Sequence, residues 1–228
     1  MSINVTLDSA IISAFPNYRA AVVLIEGIQG GASNEFSDSL LTTAEAFGKS
    51  LLESKLVEEI YEVSSWRDAF LSFGVKQRVA RSSLESLLRR CEKGLPRIDL
   101  ITDIYNSISI KHLTPIGGEN FDQYSGVPTL KFAEGNEIFE IATEGSVTNE
   151  SPEKGEIIWA DDLGATCRRW NWRQCMRTRL DVNTKNALFI FDGLGENAEE
   201  KVIKASDELI EISKQIWADC SISRMVLP

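Results

Sequence analysis

Apolar and polar positions change rhythm along the chain, and each rhythm predicts an element. From Ala20 to Ile28 nearly every side chain is apolar, which reads as a buried strand; Gln29-Gly30-Gly31-Ala32-Ser33-Asn34 then breaks it and starts a helix. Phe36, Leu40, Ala44, Phe47 and Leu51 recur at spacings of four and three, so a helix running to about Leu56 is expected to turn them into the core. Ser82-Ser83-Leu84-Glu85 has the form of a capping box, with Leu84, Leu87, Leu88 and Cys91 as the apolar stripe behind it. Short β-like runs follow at residues 127–132, 137–141, 156–160 and 186–191, punctuated by Gly, Asn, Pro and Asp. Val202, Ala205, Leu209, Ile212 and Ile216 share one face of a further helix, and Glu199, Glu200, Lys204 and Glu208 occupy the other. Helices before and after a mostly antiparallel sheet region predict an α+β fold rather than a doubly wound nucleotide fold, with residues 1–228 as a single domain.

Composition agrees with that picture, since 228 residues with 43% hydrophobic content can bury one sizeable core. No run approaches the roughly 18 apolar residues of a membrane helix, and Met1-Ser2-Ile3-Asn4-Val5-Thr6 does not look like an export signal, so a cytoplasmic protein without membrane contact is expected. Cys91, Cys167, Cys175 and Cys220 form no C-x-x-C pair and His112 is the single histidine, which predicts free thiols, no metal and no cofactor. In Ile110-Lys111-His112-Leu113 the imidazole is expected on a strand, bonded to backbone.

The net charge of -10 argues against a protein that grips nucleic acid mainly through phosphates, and DNA is not an expected partner. Charge is unevenly spread, however. Lys76, Arg78, Arg81, Arg89, Arg90, Lys93 and Arg97 form one basic group, and Arg168, Arg169, Arg173, Arg177 and Arg179 another. Either these are local basic patches, or acidic helices neutralise them within the fold.

The second group contains the densest chemistry in the chain, Cys167-Arg168-Arg169-Trp170-Asn171-Trp172-Arg173-Gln174-Cys175. Arginine forks bind carboxylate or phosphate at two points, and tryptophan offers a rigid face with one donor, which together suit a nucleotide or an aromatic ligand. The competing reading is an edge strand whose arginines lie in water over tryptophan faces. G-x-G-x-x-G, G-x-x-x-x-G-K-[ST], G-x-S-x-G and H-E-x-x-H are all absent, which argues against nucleotide triphosphate chemistry.

Three segments occur in a recognisable order: Asp99-Leu100-Ile101-Thr102-Asp103-Ile104-Tyr105-Asn106, then Gly118-Glu119-Asn120-Phe121-Asp122, then Gly155-Glu156-Ile157-Ile158-Trp159-Ala160-Asp161. Over about residues 70 to 192 the chain resembles the B3/B4 domain of the phenylalanyl-tRNA synthetase β subunit. It is more similar still to free-standing relatives of that domain, through Phe73-Gly74-Val75-Lys76, the segment from Ser82 to Arg90, and the Arg-Arg-Trp-Asn-Trp-Arg run. In the synthetase this domain edits, hydrolysing the ester of tRNA mischarged with tyrosine without metal or covalent nucleophile.

The resemblance therefore implies a deacylase acting in trans on aminoacyl-tRNA, or a binder of tRNA, an amino acid or a small metabolite. It implies Asn106, at the end of a helix segment, as a donor to the reacting ester, and Glu119 as a catalytic carboxylate that orients water or binds the substrate ammonium. Glu119 stands where the synthetase pattern has histidine. Trp170, Trp172, Arg173 and Thr184 are implied in substrate binding, with Arg173 holding a carboxylate or phosphate, and Lys76, Arg81, Arg89 and Arg90 in RNA binding. Ile190 stands near the position at which the synthetase carries the glutamate that reads the tyrosine hydroxyl, and residues 170–174 replace a glycine-rich pocket lining, so tyrosine is not the expected substrate. Asp122 and Asp161 read as turn caps. A third possibility makes Trp170 and Trp172 anchors of a protein interface.

Overall fold

The computed structural model describes residues 3–143 and 146–228. In chain order the strands are β1 (Thr6–Leu7), β2 (Tyr18–Glu26), β3 (Ile116–Asn120), β4 (Thr129–Phe132), β5 (Phe139–Thr143), β6 (Ser146–Glu150), β7 (Ile157–Asp161), β8 (Gly164–Arg168), β9 (Arg173–Gln174), β10 (Asn186–Leu194) and β11 (Ser221–Leu227). The helices are α1 (Ser9–Ala14), α2 (Glu35–Ser54), α3 (Tyr61–Ser72), α4 (Ser83–Cys91), α5 (Leu100–His112) and α6 (Ala198–Ile216). The class is α+β, as the sequence predicts. Among the described residues no helix is long and apolar enough to cross a membrane.

Two sheets organise these elements. An antiparallel sheet runs in the order β11-β2-β10-β3, and a second in the order β1-β4-β7-β8-β9. The apolar run predicted near residues 20–28 is β2, which pairs with β10 along its whole length, Tyr18 opposite Leu194 through Glu26 opposite Asn186. Its apolar character follows from being covered on both faces. Ala20, Val22, Leu24, Leu188 and Ile190 pack with Leu130, Trp159 and Trp170 between the sheets. Ala21, Val23, Ile25, Phe189 and Phe191 pack under α5 and α6, against Ile104, Ile108, Val202 and Leu209.

Several local expectations need correction. The inward face of α2 is Ser37, Leu41, Ala44, Glu45 and Gly48, while Phe36 and Phe47 are exposed. Polar partners make the difference. Ser37 Oγ donates to Asp103 at 3.3 Å, and Glu45 accepts from Leu95 N at 2.7 Å and from Arg97 at 2.6 Å, so these polar residues turn inward. At Ser82 only half of a capping box forms. Ser82 Oγ accepts from Glu85 N at 3.2 Å, but the Glu85 carboxylate turns to Arg67 and Arg89 instead of back to the cap. His112 ends helix α5 rather than lying on a strand, and its Nε2 bonds Glu208 at 2.6 Å.

Candidate functional site

A cavity of about 340 Å³ opens beside β3, an edge strand of the four-stranded sheet that is bridged at Glu119 to Arg179. Strand register determines its floor. Glu119 on β3 lies opposite Leu188 on β10, and Gly117 opposite Ile190. Because alternate residues share a face, Glu119, Ile190 and Asp192 all point toward the second sheet, and all three line the cavity. Trp159 and Cys167 of that sheet form the opposite wall, and α4 and α5 contribute Ser83, Arg90 and Asn106.

The arginine and tryptophan run closes the far side as the turn between β8 and β9. Arg169 (φ 46°) and Trp170 (φ 66°) both adopt left-handed backbone, which costs on the order of 1–2 kcal/mol per residue. Surrounding contacts hold it there. Arg168 makes a two-point pair with Glu156 at 2.9 and 2.8 Å, and the same carboxylate accepts from Arg169 N at 3.1 Å. Trp170 N donates to Ile157 O at 2.7 Å, and its ring meets Phe15, Tyr18 and Trp66 edge-on at 4.8, 4.9 and 5.1 Å. Arg169 stacks over Trp172 at 4.3 Å. The segment is thus a turn, and Arg168 and Arg169 are buried ion-pair partners of Glu156 rather than arginines in water. Trp170 is a fully buried core side chain and cannot anchor an interface; Arg173 is the arginine of the run that lines the cavity.

Two carboxylates give the cavity its electrostatics. Glu119 is 2% exposed, and burial raises it to about 7 despite the Tyr124 hydroxyl that donates to it. Asp192 is equally buried and is also raised to about 7 by burial, although Tyr18 Oη donates to it at 2.6 Å and Asn171 Nδ2 at 3.3 Å. Both therefore exchange protons near neutral pH, the range suited to general acid and base work. The Cys167 thiol is driven well above its ordinary range by burial, so it is no thiolate nucleophile at neutral pH. Four buried polar atoms of lining residues, Ser83 Oγ, Trp159 Nε1, Trp170 Nε1 and Asn171 Oδ1, have no hydrogen-bond partner among the described residues.

A family model described as the B3/4 domain matches residues 65–215, about two thirds of the chain. The chain belongs to the B3/4 domain family. Among solved structures it is similar to an N-terminal fragment of the phenylalanyl-tRNA synthetase β subunit from Pyrococcus horikoshii, with a TM-score of 0.48 and 14% identity. That match covers 100% of this chain and 55% of the fragment, so the chain spans about half the length of that relative. Comparison with curated proteins gives no match.

Within this B3/4 domain the residues singled out by sequence distribute unevenly. Asn106, Glu119, Trp170, Trp172 and Arg173 all line the one cavity, with Asn106 in the middle of α5 rather than at a helix end. Thr184 does not line it; buried in a turn, its hydroxyl accepts from Asp181 N at 3.0 Å. Of the RNA-binding candidates, Arg81 and Arg89 pair with buried Glu85 at 3.4 and 2.9 Å, Lys76 is exposed, and Arg90 is exposed on the cavity lining. Asp161 caps its turn, accepting from Leu163 N and Gly164 N, and also holds Arg177 in a two-point pair. Asp192 escaped the sequence reading. Its signal was a carboxylate directly after the apolar run that ends in Phe191, on a strand that continues to Leu194.

Proposed function

We propose that this B3/4 domain hydrolyses the aminoacyl ester of misacylated tRNA in trans. The observation that carries the reading is Glu119, a buried carboxylate near pKa 7 on the same cavity lining as Asn106 and the exposed Arg90 and Arg173. Ionised Glu119 takes a proton from water as the water oxygen attacks the ester carbonyl, and the Asn106 amide donates to the oxyanion. Collapse of that intermediate breaks the bond to the ribose oxygen, which leaves with the proton returned by Glu119. Arg90 and Arg173 at the exposed side suit the phosphates of an RNA acceptor end. The raised thiol of Cys167, and a His112 that is bonded to Glu208 and does not line the cavity, favour direct attack by water over a covalent intermediate.

Deacylation of a panel of mischarged tRNAs tests the reading. Turnover on at least one member is expected, with Glu119→Gln slowing it by about 10²–10⁴-fold, the usual contribution of a general base. No turnover across the panel overturns hydrolysis. One observation favours binding without chemistry: Glu85 engages Arg67, Arg81 and Arg89, and Arg97 is held by Asp38 and Glu45, which leaves fewer cations for RNA. That alternative predicts saturable thermal stabilisation by an amino-acid-like ligand with every ester left intact.

A further inference from the structure

Glu119 and Asp192 stand at the two ends of the cavity floor. Asp192 is four residues beyond Leu188, the partner of Glu119, so at about 3.3 Å per residue the two are separated by roughly 13 Å along the strands. Their partners are neutral hydroxyl and amide groups, from Tyr124 for one and from Tyr18 and Asn171 for the other. Nearby guanidinium groups are already engaged: Arg168 and Arg169 by Glu156, and Arg177 by Asp161. Among the described residues neither cavity carboxylate has an ion-pair partner. At the Asp192 end, the buried Asn171 Oδ1 is a second acceptor with nothing donating to it. A buried pair of acids with an orphan acceptor beside one of them lacks a donor-rich cation.

We propose that the cavity selects an amino acid with a long basic side chain, its terminal cation held by Asp192 and Asn171 Oδ1 and its α-ammonium by Glu119. The inference rests on the hydrolase reading for the orientation alone, since that reading puts the ester, and therefore the α-carbon, at the Glu119 end. Dimensions agree. With bonds near 1.5 Å, the two nitrogens of an extended lysine lie roughly 6–7 Å apart. A charge-assisted hydrogen bond of about 2.8 Å at each end brings the span to about 12 Å, close to the spacing of the two acids. Between them the floor presents Ile190 to the methylenes, while the Gln174 amide, which donates to Gly118 O at 3.0 Å, covers Gly117 at the edge. The orphan Trp159 Nε1 supplies a donor for an ester or carboxylate oxygen.

Calorimetric titration of the full chain with L-lysine, L-norleucine, L-ornithine and L-tyrosine reads the selectivity directly. L-lysine is expected to bind at least about tenfold more tightly than L-norleucine, which has the same carbon chain without the terminal ammonium, since loss of one charged hydrogen-bonded contact is worth about that factor. Asp192→Asn should bring lysine down to the norleucine affinity while norleucine is unchanged. Glu119→Gln should weaken both equally. Norleucine or tyrosine binding as tightly as lysine, no saturable lysine binding, or an unchanged lysine preference in Asp192→Asn overturns the proposal. If Asp192→Asn does not fold, the Glu119→Gln comparison and the wild-type selectivity still decide it. Hydrolysis is scored separately on the tRNA panel: turnover without preference for basic aminoacyl groups sinks this inference and spares the hydrolase, and lysine selectivity without turnover does the reverse.

Discussion

At Asp192 and Glu119 burial raises the carboxyl groups from 3.8 and 4.5 to about 7 in the fold, so the native state holds their protons more tightly than the unfolded chain does. The sign of the consequence follows from proton counting: their stabilisation is complete below the unfolded values and is lost as pH rises toward 7. Glu137 acts in the opposite sense. Backbone donors and Lys131 lower it to about 2, so its contribution is present above 4.5 and lost as pH falls through 2. The two windows barely overlap, and stability is expected to peak near pH 4–5 and to fall toward neutrality, each tenfold change in proton affinity being worth about 1.4 kcal/mol. Urea midpoints measured across that range check it: Asp192→Asn, neutral at every pH, should flatten about half of the fall, and an unaltered slope would contradict the assignment. A composition scan could not see this. Asp192 takes its environment from Tyr18, 174 residues away, and only strand pairing brings the two together.

The turn at residues 169–172 shows what is legible at the scale of an element and what is not. Its odd mixture of arginine and tryptophan marked the right place, and the stripe Leu84, Leu87, Leu88 and Cys91 was equally readable because helical spacing alone buries all four. Orientation within the turn was not readable, because it depends on Glu156, on a different strand, which gathers Arg168 and the Arg169 backbone. The same limit misplaced the face of α2, where Asp103, Leu95 and Arg97 draw Ser37 and Glu45 inward. Glu156→Gln tests the account of the turn. It leaves buried Arg169 without a counter-ion and Arg168 with only the half-exposed Glu150, and should cost about 3 kcal/mol in thermal or urea unfolding. Arg81→Ala, which removes a half-exposed partner of Glu85, should cost less than about 1 kcal/mol. Equal losses in the two variants would mean that the Glu156 network does not hold the turn.

On the scale of the whole molecule, the segment that carries the family signature is shorter than the one that builds the four-stranded sheet. The B3/4 match begins at residue 65 and ends at 215, yet the strand on which the cavity floor leans is β2 at residues 18–26, paired with β10 on one side and β11 on the other. Cutting to 65–215 removes β2 and β11 together, leaves β10 and β3 as a two-stranded remnant, and strips α5 of its contact with α2. Two strands without a third are marginal in water, and Val22, Leu24 and Tyr18 would no longer cover Leu188, Ile190 and Asp192. The 65–215 fragment is therefore expected to lack cooperative unfolding and near-ultraviolet circular dichroism, while the full chain shows both. Restoring residues 3–64 and 216–228 as separate chains should not rescue it, because closure of the sheet then carries the entropy of bringing three chains together. A fragment that unfolds cooperatively would show that the cavity floor stands without β2, and the reach of the domain would contract to the matched residues.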